Sequence, residues 1–173
     1  MPNGKPMTET AHIALTENKV RKALERVMDP EIPIVSVLDM GMITEVKIGS
    51  DNQVMVRMTP TFAGCPAIEV LKKSIHDTVM ELGAQSVEVI VDYQTAWDSN
   101  RITEGGKLKL EKFGLGRPEY HEGDVTMEMV EHAKCPYCGS EHTTLNSTFG
   151  SALCRSIHFC YDCSQTFERF KPV

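Results

Sequence analysis

No run of apolar residues in this chain approaches the length that crosses a bilayer, so a membrane-spanning protein is not expected. The opening residues, Met1-Pro2-Asn3-Gly4-Lys5-Pro6-Met7-Thr8, hold no apolar secretory core, and a cytoplasmic protein is expected. Positive charge is not in excess. The formal net charge of -6 argues against a general nucleic-acid role and against an anionic membrane surface. The chain has no pair of Glu-x-x-His motifs, which a diiron helical bundle requires. It also has no Gly-x-Gly-x-x-Gly loop to seat a dinucleotide. An enzyme complete in itself is therefore not expected.

Cysteine is missing from most of the length. Of six cysteines, Cys65 stands alone and five lie between Cys135 and Cys163. In a cytosolic chain such residues point to metal or redox chemistry before disulfides. Their uneven placement predicts two domains with separate chemistry. The 173 residues, 41% of them hydrophobic, suffice for one ordinary core and a small appendage.

Residues 1–15 read as a disordered tail. Thr16 can cap a first helix, with Glu17 in its first turn and Val20, Leu24, Val27 and Met28 on one face. Pro30 stops it, and Asp29-Pro30-Glu31-Ile32-Pro33 is a stiff turn holding two carboxylates close. Ordinary capping and solvation account for both on local sequence. Residues 42–48 and 54–58 make a hairpin through Gly49-Ser50-Asp51-Asn52. Val87, Val89 and Val91 alternate as a third strand. Residues 16–95 thus follow the order α-β-β-α-β, a small α+β fold with two helices on one face of a three-stranded sheet. Met40, Met42, Met55 and Met58 cluster around the hairpin, most of them as core filler, with an adaptable Met-rich surface for a partner as the alternative.

The stretch Thr59-Pro60-Thr61-Phe62-Ala63-Gly64-Cys65-Pro66 organises this unit. An amphipathic helix leaves it, with Ile68, Leu71, Ile75, Val79 and Leu82 on one face. Pro66 suits the first helical position, and Gly83 the left-handed residue beyond the last. Cys65 then lies at or next to the N-cap, where unpaired N–H groups and the helix dipole favour thiolate. Such a thiolate can be a nucleophile, a redox group or a soft-metal ligand. A buried packing cysteine is the other reading of the same residue.

Residues 96–131 read as a linker. A short helix falls within Ile102 to Phe113, ended by Gly114 and Gly116, and a loose acidic arm follows over 117–129. Trp97 reads as the residue that docks this arm on the first domain. In residues 132–173, Cys135-Pro136-Tyr137-Cys138 and Cys160-Tyr161-Asp162-Cys163 are two Cys-x-x-Cys knuckles with twenty-one residues between them. Four thiolates close a structural zinc site, and strand-like runs between and after the knuckles make this a zinc ribbon. So small a unit folds only with its metal. A rubredoxin-like iron site is the competing use of the same thiolates. His132, His142 and His158 are substitute ligands that a complete four-cysteine set does not need. Cys154 is left over: a packed core thiol in the ribbon or a second soft ligand, the Gly-Ser turn and neighbouring Arg155 favouring an exposed thiol of lowered pKa.

Asp29-Pro30-Glu31, the Asp39-Met40-Gly41-Met42-Ile43 run and the Gly64-Cys65-Pro66 helix start resemble SufT-type iron–sulfur assembly factors. Thr59 to Ala67, Trp97 with the helix after it, Cys135-Pro136-x-Cys138-Gly139-Ser140, Phe149-Gly150-Ser151, Cys154 and the ending Phe167 to Lys171 together resemble the PaaD (PaaJ) family over nearly the whole chain. Ala152 and Arg155 depart from the Thr and Lys usual there, and Pro172 follows Phe170-Lys171 where relatives often end in Cys. The resemblance implies an accessory or maturation factor. It would deliver iron or an iron–sulfur cluster to the multicomponent phenylacetyl-CoA epoxidase of aerobic phenylacetate catabolism. A stable non-catalytic structural subunit is the alternative. Implied partners are the diiron oxygenase subunits and the iron–sulfur flavin reductase. The implied site is Cys65 with Asp29, Glu31 and Thr61, Cys154 being an additional thiol. A single thiol cannot hold a four-ligand cluster. Either two chains share it through both Cys65 residues, as a homodimer, or Asp29, Glu31, a small thiol or the client completes the shell.

Overall fold

The computed structural model describes residues 14–173, so the tail expected over 1–15 lies almost wholly outside the described residues. At Leu15 the chain is already held: the side chain is buried, and its N–H donates to Asn52 Oδ1 at 3.0 Å. Helix α1 (Glu17–Leu24) starts at Thr16, whose Oγ1 accepts from Lys19 N–H. It ends earlier than its apolar face suggests. Val27 stays buried, but Met28 turns outward. The Asp29 carboxylate then accepts the N–H groups of Glu31 and Ile32 at 2.8 and 2.9 Å, an Asx turn that fixes the Pro30 corner.

Strands β1 (Ile43–Ile48) and β2 (Gln53–Met58) pair antiparallel. The turn between them carries Asp51 and Asn52 at positive φ, a conformation these side chains tolerate. Helix α2 (Ile68–Met80) crosses over so that β3 (Ser86–Val91) lies parallel beside β2, giving the order β1-β2-β3. Val54, Val56 and Met58 are buried and alternate with more exposed neighbours, and α1 and α2 pack on β1, on β3 and on each other. Met40, Met42 and Met58 are buried as filler, whereas Met55 is only half-buried.

Helix α3 (Glu104–Lys112) leads to the short β4 (Leu115–Gly116), and α4 (Met127–Glu131) precedes the ribbon strands. These are β5 (Thr143–Ser147), β6 (Arg155–Cys160) and β7 (Gln165–Phe170), antiparallel in sequence, with β4 parallel to β7 at the edge. The segment expected to be a loose arm is pinned. Arg169 of β7 is buried, and its guanidinium donates to the carbonyls of Arg117, Met129, Val130 and His132. His121 is buried against Gly123 and Val173 carbonyls. A buried cation needs acceptors, and the arm supplies them. Nothing local to residues 117–129 reveals that Arg169 points inward.

The two halves meet on Trp97. Its Nε1–H donates to Met40 O at 2.9 Å, and its ring meets the Phe170 ring edge-on at 5.7 Å. Phe170, Leu115, Leu110 and Ile102 join the core of the first sheet. A separate small cluster of Ala133, Phe167, Cys135 and Cys160 fills the far end of the ribbon. Gly41, at φ +61°, lies where a Cβ would stand 2.3 Å from Arg101 O, so this seam admits only glycine. Asp39 closes it, accepting Lys109 Nζ at 2.6 Å. Among the described residues no helix is long and apolar enough to cross a membrane.

Candidate functional site

The two Cys-x-x-Cys turns bring Cys135, Cys138, Cys160 and Cys163 together, with all four sulfurs within 4.8 Å of one another. Cys135 and Cys163 are 3.7 Å apart, and Cys138 and Cys160 are 3.6 Å apart. A tetrahedron of metal–sulfur bonds near 2.3 Å has edges of about 3.8 Å, so the set fits one tetrahedral ion. Backbone N–H groups of Cys163 and Asp162 point at the Cys160 sulfur and draw its pKa down to about 7. The histidines go elsewhere. His142 pairs with Asp162 at 2.9 Å, His132 lies 3.9 Å from Glu119, and His158 stacks on Phe167. Among the described residues the four cysteines are the one group arranged to hold a metal ion.

Strand β6 runs from Cys160 at that end to Arg155 at the other. The hairpin tip before it, residues 148–154, folds onto the Cys65 loop. Together they line a cleft of about 250 Å³ whose walls include Glu31, Thr61, Cys65, Ser151 and Cys154. The tip is built stiffly. Gly150 N–H donates to Arg155 O, and Lys171 N–H to Cys154 O, both at 2.9 Å. The Arg155 guanidinium is buried between Glu168 at 3.1 Å and Glu31 at 3.7 Å, and it donates to Ser151 Oγ at 3.0 Å. A Cβ on Gly150 would lie 2.7 Å from the Glu168 carboxylate, which explains the glycine.

Helix α2 begins at Ile68, two residues later than Pro66 suggests, and Ala67 at its N-cap offers no side-chain acceptor. Cys65 fills that role from one turn back. Its carbonyl accepts from Ile68 N–H at 3.4 Å, and its sulfur faces Ala67 N–H. The expected preference for thiolate is nevertheless overturned. Burial pushes the Cys65 pKa up, the Ala67 N–H opposes this, and the negative field of Asp29 and Glu31 adds to the rise, so the net shift is upward. Cys154 departs likewise from the exposed, acidified thiol. Burial drives its pKa up to about 11, and neighbouring Arg155 offsets only part of that. Each thiol is protonated at neutral pH.

Of the residues read from the sequence, Cys65, Glu31, Thr61 and Cys154 come together in the cleft. Asp29 stands behind them, its carboxylate engaged by two backbone N–H groups. Sequence reasoning misses Ser151, Arg155 and Glu168 as the frame of the cleft. The Phe149-Gly150-Ser151 turn is the available signal, but its place opposite Cys65 is a tertiary fact.

A fold of this kind, with a thiol at a helix start and a four-cysteine ribbon, defines a class. Residues 17–91 match the family model described as an iron-sulfur cluster assembly protein, and residues 121–171 match the PaaD zinc beta ribbon domain. A putative subunit of the 1,2-phenylacetyl-CoA epoxidase of Escherichia coli (strain K12) is 33% identical over 150 residues, spanning 87% of this chain and 89% of that protein. The chain belongs to this PaaD family. An Fe-S protein maturation auxiliary factor of Porphyromonas gingivalis is 33% identical over 96 residues, 55% of this chain and 90% of that protein. Among solved structures, a domain of unknown function, DUF59, from Bacillus anthracis aligns with a TM-score of 0.52 at 27% identity. It covers 54% of this chain and 90% of that domain.

Proposed function

We propose that this chain is a non-catalytic accessory factor that delivers iron or an iron–sulfur cluster to a component of a multicomponent phenylacetyl-CoA epoxidase. The observation that carries this reading is the open cleft holding Cys65 beside Glu31, set apart from the closed four-thiol site. The ribbon cysteines hold zinc, whose role is structural. Cargo enters the cleft instead. The negative field of Asp29 and Glu31 that disfavours a bare thiolate attracts a cation by the same Coulomb term. As the cation arrives, the Cys65 thiol gives up its proton, so binding strengthens with pH. Thr61 walls the site, and Arg155 keeps Glu31 facing it. With so few protein ligands the cargo stays exchangeable and can pass to a client. The reading places the protein in the cytoplasm with the diiron subunits and the iron–sulfur flavin reductase as its candidate clients.

The test is the metal content and activity of the client components made in cells with wild-type protein, with Cys65→Ser or with Cys65→Ala. Cys65→Ser is expected to keep its zinc and to melt within about 1 kcal/mol of wild type, because Ser is close in size and caps well. Support of the client should be lost in both variants. Full support by both would end the delivery reading. Unchanged client metal, with co-purification at fixed stoichiometry, would put a structural subunit in its place.

A further inference from the structure

We propose that the outer edge of β3 docks a second copy of this chain, β3 against β3 and antiparallel, in a two-fold dimer that joins the two three-stranded sheets into one. The proposal is independent of the delivery reading. A sheet edge carries unpaired N–H and C=O groups that invite another strand, and proteins blunt such edges with bulges, Lys, Pro or brevity. Three of the four edges here are blunted. β1 has a register shift between Ile43 and Glu45 and carries Lys47. β4 is two residues long, and β5 has a register shift between Leu145 and Ser147. β3 has none of these devices. It runs in unbroken register beside β2, and Val87, Val89, Ile90 and Val91 are strong strand formers. Among the described residues no strand covers its outer side.

The edge fits a copy of itself. Val87, Val89 and Val91 pair with the buried Val54, Val56 and Met58 and share the helix face, while Glu88 and Ile90 share the open face. Opposite residues of a ladder lie on one face, so the two-fold axis passes between like residues. Centred on Glu88, it would set two carboxylates against each other. Centred on Val89, it pairs Val89 with Val89, Val87 with Val91 and Glu88 with Ile90, which removes that clash and stacks β-branched side chains. Glu88 of each copy then lies in one row with Ile90 and Arg57 of the other, two strand spacings or about 10 Å from the Arg57 position.

Charge on the helix face agrees. Val87 and Val89 open onto a groove of about 530 Å³ whose α2 wall carries Glu69, Lys72, Lys73 and His76. Among the described residues Lys73 is engaged by Asp77, whereas Glu69 and Lys72 have no ion-pair partner. Helix α2 runs opposite to β3, so the two copies of α2 lie antiparallel across the axis. That arrangement turns Glu69 of each copy toward Lys72 of the other, at two symmetric places. It also keeps the clefts apart. The Cys65 loop follows the C-terminal end of β2, and antiparallel copies put those ends on opposite sides of the axis. Each chain offers its own cleft, and the two Cys65 thiols are not pooled.

The experiment is sedimentation velocity of the full-length, zinc-loaded protein over a wide range of concentration, with hydrogen exchange measured at both extremes. The expected result is a dimer that dissociates on dilution, with concentration-dependent protection of amides in residues 86–91. Ile90→Glu sets a carboxylate opposite Glu88 of the other copy twice and should weaken the dimer by about tenfold. Ile90 is only half-buried and lies beside Arg57, so the monomer should tolerate the change. In the double variant Glu88→Lys with Ile90→Glu, opposite charges face each other, and the dissociation constant should return to within about threefold of wild type. Hydrogen exchange on the wild-type protein decides the matter even where a variant folds poorly. A monomer at every concentration, which would leave the edge to a strand of another protein, overturns the proposal. So does a dimer protected at the Cys65 loop instead of β3, one that Ile90→Glu leaves unweakened, or a double variant that fails to restore it.

Discussion

The two ends of strand β6 place thiols in different settings. At Cys160 four sulfurs from two knuckles of one small unit stand within 4.8 Å of each other. At the other end, about 20 Å away by strand rise, Cys154 lines the same cleft as Cys65. The first set is complete and closed, so an ion held there stays and contributes folding energy. The second is an open cleft with two thiols among its walls. The difference lies in how many thiols gather and in which parts of the chain supply them, since both ends use the same side chain. On the delivery reading proposed above, loss of a ribbon cysteine costs structure, whereas loss of Cys65 costs cargo.

The largest expected effect is at the closed end. Cys160→Ser should release the metal and unfold the ribbon, because structural zinc supplies about 10–16 kcal/mol in such units. The damage should not stop there. Phe170 sits in the core of the first sheet against Trp97, and removing a buried aromatic costs about 3–5 kcal/mol. Metal analysis should show the zinc gone, and Trp97 emission should shift to the red as Phe170 withdraws. Retained zinc, or an unfolded ribbon with client support intact, would break the contrast between the ends.

That coupling marks the limit of what the residues reveal. The order α-β-β-α-β, the Thr16 cap and the four zinc-type ligands are local patterns, of period, capping chemistry and spacing, so they are legible before folding. The seam is not. Arg169 looks like a surface strand residue until the carbonyls of Arg117 and Met129 are seen around it. The protonated state of Cys65 escapes the sequence for the same reason. The helix start is visible in Pro66, but burial and the approach of Asp29 and Glu31 are tertiary, and they outweigh the N–H groups. Cys154 is visible as a spare thiol, and only the fold of the hairpin tip sets it against Cys65.

A middle-sized effect should separate the ends cleanly. Gly150→Ala forces a methyl to within 2.7 Å of the Glu168 carboxylate and 3.0 Å of Arg155 Cβ. Overpacking of this kind costs about 1–3 kcal/mol. The tip must shift, carrying Ser151 and Cys154 away from Cys65, while the knuckles are untouched. Full zinc content with a lowered melting temperature and impaired client support is the expected outcome. Normal support would mean that the tip's position does not matter to function.

The smallest effect tests whether charge holds the cleft end. Burial raises the pKa of Glu168, but the Ser151 N–H, the Arg155 guanidinium and the Ser151 hydroxyl together outweigh it, so its carboxyl lies below the ordinary range. A carboxyl depressed in the folded state binds fewer protons there than when unfolded. Its stabilisation is therefore complete above the unfolded pKa of about 4.3 and is lost as pH falls through the folded value. Glu168→Gln removes the charge and keeps the shape. At pH 7 the variant should be less stable by about 1 kcal/mol, near the low end for hydrogen bonds to a charged group because the side chain is partly exposed. Protonated Glu and Gln are both neutral, so the two stability curves should converge as pH drops below about 4. Urea melts across that range, with zinc followed in parallel, measure the gap. No gap at pH 7 would show that side-chain shape, rather than the Arg155–Glu168 charge pair, holds the tip beside the Cys65 loop.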